Sequence, residues 1–323
     1  MFDPGADAAN TLRTLLAQGQ YQEVLDRYPL LAGAAPVDPG ISLSVATAAT
    51  RLGQLEHGES FANQADLVFR GRADDDGRLR ALNLLGAIAY ERGQLERAVE
   101  RWSSALELAR TLNDNLLIAR AANNLATTHH LVARVESARS LYREAMLAYQ
   151  RLADRRGLAE TNHNLAITYR AEGQTDRAAA FNVEAIRHAE VVADPVLLAL
   201  MLVGRAETHV AQGELALADD GLSRAERLCR EASDEVDLAE VDRVRAELEL
   251  TRGAVELALS LAERGRAVAE RVGTGLLQAE CAALASRAAT RLDRVTEAAR
   301  YRTEAVTILQ RLGAELYLTR LSG

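Results

Sequence analysis

DNLLIARAANNLATTHHLVARVESARSLYREAMLAYQRLA, residues 114–153, reads as two amphipathic helices and a tight turn. Asp114 is a favoured N-cap, because its carboxylate can accept from the orphan N–H groups of a first helical turn. The spacing predicts helix A over about 115–131 and helix B over about 135–151. Neither helix could bury its apolar stripe alone, so the unit needs neighbours of its own kind.

Those neighbours are present. ERGQLERA (91–98), AEGQTDRA (171–178), AQGELALA (211–218) and TRGAVELA (251–258) each carry Gly and, five residues on, Ala. Gly53, Gly93, Gly173, Gly213 and Gly253, with Ala133 and Asp293 in the remaining places, form a ladder of period 40. Ala98, Ala138, Ala178, Ala218, Ala258 and Ala298 form its partner. Asp74, Asp114, Asp154, Asp194 and Asp234 recur at the same period, with Thr274 sixth, and are expected N-caps. Pro195 after Asp194 suits a first helical position. Gly19 precedes Gly53 by 34 residues, which marks a shorter opening unit.

Composition agrees. Apolar residues make up 48% and charged residues 26% of 323, enough for a core and too apolar for a disordered polyelectrolyte. Five prolines and 4% aromatics suit a helical chain. The chain has no Lys, so a lysine-bearing phosphate loop and Schiff-base chemistry are excluded. A net charge of −8 argues against nucleic acid as the main partner. Cys229 and Cys281 form no CxxC pair and suit a reducing compartment. The first residues show no secretory pattern, and the longest apolar run, 196–204, is too short to span a bilayer. A cytoplasmic protein without a membrane partner is expected.

The repeat resembles the tetratricopeptide repeat. In the third unit the places of that pattern hold Leu82, Leu85, Gly86, Ala89, Gly93, Ala98, Trp102 and Ala105. In the fourth they hold Ala122, Leu125, Ala126, His129, Ala133, Ala138, Tyr142 and Ala145. The fifth departs with Asn162 and Asn182 where apolar residues belong. The long period looks like kinesin light chains, LGN-type adaptors and bacterial Rap-type regulators. The resemblance implies an all-α, right-handed superhelical solenoid of about eight antiparallel helix pairs. Residues 1–323 then form one solenoid: an irregular first repeat at 1–40, regular repeats at 41–313 and a capping helix at 314–323. That helix can lay Leu316, Leu318 or Leu321 on the last pair. AGAAPVDPG (32–40) reads as a linker.

In this family the stripe of helix A opposite the core lines a concave groove. Here it holds Arg80, Asn83 and Tyr90, then Arg120, Asn123, Asn124, Thr127 and His130, then His163, Asn164 and Arg170. Amide ladders can pair with the backbone of an extended peptide, and arginines can hold a carboxylate. The plainer reading is a solvated polar face. The resemblance implies a non-catalytic scaffold that holds an extended protein segment of acidic or C-terminal carboxylate character. The alternative is a peptide-responsive sensor acting on a separate regulator. Protonation of His130 and His163 would tighten an acidic ligand near pH 6. No HExxH motif, nucleophile elbow or glycine-rich nucleotide loop occurs, so no metal, cofactor or catalytic residue is expected.

Units six to eight depart from the pattern. Arg205, Asp242, Arg245 and Glu249 stand at core places, which requires pairing or a rotated helix. Val241, Val244 and Leu248 share one face, either core after a local twist or an apolar patch.

Overall fold

The computed structural model describes residues 4–31 and 38–322, and it holds seventeen helices and no strand among them. Unit 1, residues 1–128, and unit 2, residues 129–323, are each compact. Unit 1 contains α1 (Pro4–Ala17), α2 (Tyr21–Leu31), α3 (Pro39–Arg51), α4 (Leu55–Gly71), α5 (Asp75–Glu91) and α6 (Leu95–Leu112). The division falls within α7 (Asn115–Leu131). Unit 2 continues with α8 (Val135–Arg151), α9 (Arg155–Ala171), α10 (Thr175–Val192), α11 (Pro195–Gln212) and α12 (Leu215–Ala232). It ends with α13 (Glu235–Arg252), α14 (Val255–Val272), α15 (Gly275–Arg291), α16 (Val295–Leu312) and α17 (Glu315–Ser322). The helices expected at 115–131 and 135–151 are α7 and α8, residue for residue.

The ladders have visible causes. Gly53, Gly93, Gly173, Gly213 and Gly253 lie at φ between 70° and 88°, the left-handed turn that a Cβ disfavours. Ala133 and Asp293 adopt the same turn at 59° and 56°. A second such ladder closes the B helices from α4 to α16, at Ala73, Asn113, Ala153, Ala193, Ser233, Gly273 and Gly313. Asp74, Asp114, Asp154, Asp194 and Asp234 accept from first-turn N–H groups. Thr274 does not cap: its hydroxyl instead donates to the Ala269 carbonyl at 3.4 Å. Asp38 caps α3, with Pro39 at the first helical position. Residues 32–37 of the expected linker lie outside the described residues.

The partner alanines are all buried, from 0% exposed at Ala98 to 8% at Ala298. Consecutive helices pack in pairs, and in unit 2 α9 also packs on α11, α11 on α13 and α13 on α15. The A helices are therefore the inner layer of that unit. Val241, Val244 and Leu248 are buried in the core with Leu202 and Leu222, so the core reading of that face holds. Helix A of that repeat thus has its apolar face rotated. Arg245 reaches Asp219 and Glu226 of α12, Asp242 pairs with Arg264 of α14, and Glu249 pairs with Arg252. None of the pairings expected among Arg205, Asp242, Arg245 and Glu249 forms, because the neighbouring B helices supply partners to Asp242 and Arg245, and α13 itself supplies Arg252 to Glu249. α17 packs Leu318 and Leu321 beside Ile308 and Leu309.

Candidate ligand-binding face

The expected groove residues divide between the units. In unit 1, Arg80 is paired with Asp76 one turn back. Asn83 accepts from the Trp102 indole N–H through both its side-chain and backbone oxygens, each at 3.2 Å. Tyr90 lies 5.9 Å from the Trp102 ring, and burial with Glu91 nearby pushes its hydroxyl up to about 12. Arg120 is exposed; Asn123, Asn124 and Thr127 are half-buried. Arg80, Asn83 and Tyr90 are thus engaged within their own repeat.

In unit 2, His130 and His163 are buried, at 5% and 8% exposure. His130 Nδ1 lies 3.3 Å from the Thr168 hydroxyl, and its ring meets Tyr317 of α17 edge-on at 6.4 Å. His163 packs over Gly204 of α11, where a Cβ would come within 2.6 Å of the ring. Burial, reinforced by Arg320 and Arg170, lowers the His130 pKa to about 4. Burial also lowers His163 to about 4; Glu207 opposes this, while Arg170 and Arg243 add to it. Both rings are neutral at pH 6, so the expected tightening of an acidic ligand there does not follow. Asn164 is half-buried on the same helix.

Arg170 does not stand open for a ligand either. It donates to Glu207 at 2.8 Å, and the second Glu207 oxygen lies 2.8 Å from Arg243. Arg243 further donates to Glu240 at 2.8 Å and lies 3.7 Å from Glu280. Burial alone would raise Glu207, but Arg170 and Arg243 hold it down at about 2. Glu280 goes the other way, to about 7: burial dominates, Arg243 opposes it, and Glu240 and Glu207 add repulsion. Residues of α9, α11, α13 and α15 thereby form one charge chain on the inner layer, deepest at Glu207 and Arg243 and half-buried at its ends, Arg170 and Glu280. Sequence reasoning missed Glu207 and Arg243, although Arg243 stands two periods after His163, and it reads Glu280 as a solvated carboxylate on a polar face, whereas that side chain turns inward beside Arg243.

Beside this chain, α13, α15, α16 and α17 enclose a cavity of 560 Å³. Five arginines line it, Arg243, Arg287, Arg291, Arg302 and Arg320, against two carboxylates, Glu247 and Glu280. Arg287 pairs with Glu247 at 3.0 Å. Arg291 donates to the Leu250 carbonyl at 2.5 Å and Arg302 to the Leu321 carbonyl at 3.2 Å. Arg320 lies 5.7 Å over the Tyr317 ring. Each of the last three keeps N–H donors beyond these contacts. Leu250, Leu284 and Leu309 provide apolar wall. The arrangement suits an anionic ligand with some apolar surface. No cluster of metal-ligating side chains occurs among the described residues. No helix among them is long and apolar enough to cross a membrane.

Residues 77–145 and 117–190 match the tetratricopeptide repeat family model. Among solved structures, the chain is similar to a Rap protein complexed with Competence and Sporulation Factor, at a TM-score of 0.72 and 14% identity, over 90% of this chain and 80% of that one. It is similar to aspartyl phosphate phosphatase F from Bacillus subtilis, at 0.70 and 15%, over 92% and 74%. It is also similar to NprR in complex with its cognate peptide NprX, at 0.64 and 14%, over 92% and 87%. No curated protein matches in sequence. At these identities the likeness is one of fold. Residues 77–190 thus match tetratricopeptide repeats, and the described helix pairs share the helical-solenoid fold of the Rap protein structures.

Proposed function

We propose that the chain is a non-catalytic binding protein whose inner face in unit 2 receives an extended peptide or protein segment. The carrying observation is the 560 Å³ cavity with five arginines and two glutamates. An excess of cationic donors beside apolar wall favours an acidic segment or one ending in a free carboxylate. The complex of NprR with its cognate peptide, among the structural neighbours, supports a peptide as ligand. Of the residues expected from the sequence, Asn164 and Arg170 border this face; Arg120, Asn123, Asn124 and Thr127 belong to unit 1.

The sensor reading has its own support. Tyr317 and Arg320 of α17 wall the cavity, and Tyr317 also meets His130 on α7. A ligand in the cavity would therefore bear on the helix that closes the last repeat. The test is calorimetric titration with a partner segment identified by affinity capture. The Arg302→Gln, Arg320→Gln double variant should weaken binding about tenfold, with the melting temperature retained. Wild-type affinity at both sites would contradict the assignment.

A further inference from the structure

A second cavity, of 390 Å³, lies between α8, α9 and α10, and shares no lining residue with the first. Met146, Leu158 and Phe181 give it an apolar wall, and Arg155, Arg187 and His188 form its polar end. His188 is buried at 5% exposure. Its ring lies between two guanidinium groups: Arg155 is 3.3 Å from Nδ1, and Arg187 is 3.4 Å from Nε2.

That geometry is short of one acceptor. A guanidinium nitrogen only donates, and a neutral imidazole offers one lone pair and one N–H. Whichever tautomer His188 adopts, one contact sets N–H against N–H. Protonation would make both contacts so, and burial together with Arg187 and Arg155 disfavours it. Glu184, the carboxylate lining the cavity, is already committed to Arg187. The charged groups facing the ring are Arg155 from α9 and Glu184 and Arg187 from α10; α8 contributes uncharged Met146 and Gln150. An anion placed between the imidazole N–H and a guanidinium would supply the missing acceptor. The space is far larger than the ~30 Å³ share of one water molecule, and most of its remaining wall is apolar.

We infer that this cavity binds a small carboxylate carrying an apolar tail, with the carboxylate on His188 and Arg155 or Arg187 and the tail against Met146, Leu158 and Phe181. The site is independent of the inner-face reading, because it shares none of its residues.

The test uses the full-length protein with hexanoate as probe and inorganic phosphate as the anion without a tail. The readout is the His188 Cε1 proton in a pH titration by NMR, assigned with His188→Gln. Hexanoate should raise the His188 pKa by about one unit or more, because a bound carboxylate favours the imidazolium. Arg155→Gln, at an exposed position, and the Arg155→Gln, Arg187→Gln pair should remove that response while the helical signal persists. Met146→Ala should weaken hexanoate severalfold. An unmoved His188 titration overturns the inference. So does an equal response to phosphate at equal concentration, which would mean an adventitious ion only, or a response that survives the Arg changes.

Discussion

Glu280 is the third carboxylate around Arg243, and its position makes stability depend on pH in a definite direction. Its folded pKa is raised to about 7 by burial, so the folded state holds a proton that the unfolded state releases near 4.5. The contribution is complete at low pH and is lost as pH rises through 7. Glu280→Gln should therefore melt higher than wild type at pH 8 and close to it at pH 5; equal shifts at both values would contradict this. His130 and His163 act oppositely. Their folded values near 4 lie below the ordinary 6.5, so they favour the fold above 6.5 and withdraw that support as pH falls towards 4. Glu207 joins Arg170 to Arg243, with its side chain 9% exposed. Glu207→Gln should cost about 3–5 kcal/mol in denaturant unfolding, since it leaves buried Arg243 and half-buried Arg170 short of a partner. A loss below about 1 kcal/mol would show that the chain is solvated. Legibility varied at this scale. The register placed His130 and His163 on the right helices, but their depth depended on Gly204 and Tyr317, distant in sequence. Glu207, Glu247 and Arg287 recur at period 40 and were open to the same reading. Glu247 reads alone as a solvated carboxylate on a polar helical face, because its partner Arg287 lies a full period away.

The helices were legible because each carries its own start and stop. Asp caps and left-handed turns are local chemistry, so the bounds of α7 and α8 followed from one repeat. The exception is Thr274, which stands at a cap place without bonding the first turn. Thr274→Asp should stabilise α15 by about 1 kcal/mol, seen as a raised denaturant midpoint; no change would mean the turn cannot admit the carboxylate. Ala133 is exposed at φ 59°, a conformation that favours glycine. Ala133→Gly should gain up to about 1 kcal/mol, the relief of left-handed strain exceeding the entropy cost of glycine. Ala178, fully buried, should behave oppositely: Ala178→Leu should cost about 1–3 kcal/mol. The second left-handed ladder escaped notice because Ala, Asn and Ser fill five of its seven places, and none announces a positive φ as glycine does.

At the scale of the whole chain, a repeated sequence specifies neighbours well and distant encounters poorly. The pairing of each helix with the next was legible, as was the landing of Leu318 and Leu321 on the last pair. The meeting of Tyr317 with His130 was not, since it joins residues almost five periods apart. It gives α17 two roles, cap of α16 and wall of the cavity. Ending the chain after Ala314 should speed amide exchange in α15 and α16 and move the His130 pKa up from about 4 towards 6.5, as Tyr317 and Arg320 leave. An unaltered His130 titration would show that α17 does not bury that ring.

The central claim is that unit 2 binds an anionic peptide through its cationic cavity. It is tested most directly by fluorescence polarisation with two labelled pools of random hexapeptides. One pool is acidic with a free C-terminal carboxylate; the other is neutral with an amidated end. The acidic pool should bind the full-length protein, lose affinity as NaCl rises from about 0.05 to about 0.5 M, and weaken about tenfold with Arg302→Gln and Arg320→Gln together. Equal binding of the neutral pool, or unchanged binding by the double variant, would contradict it.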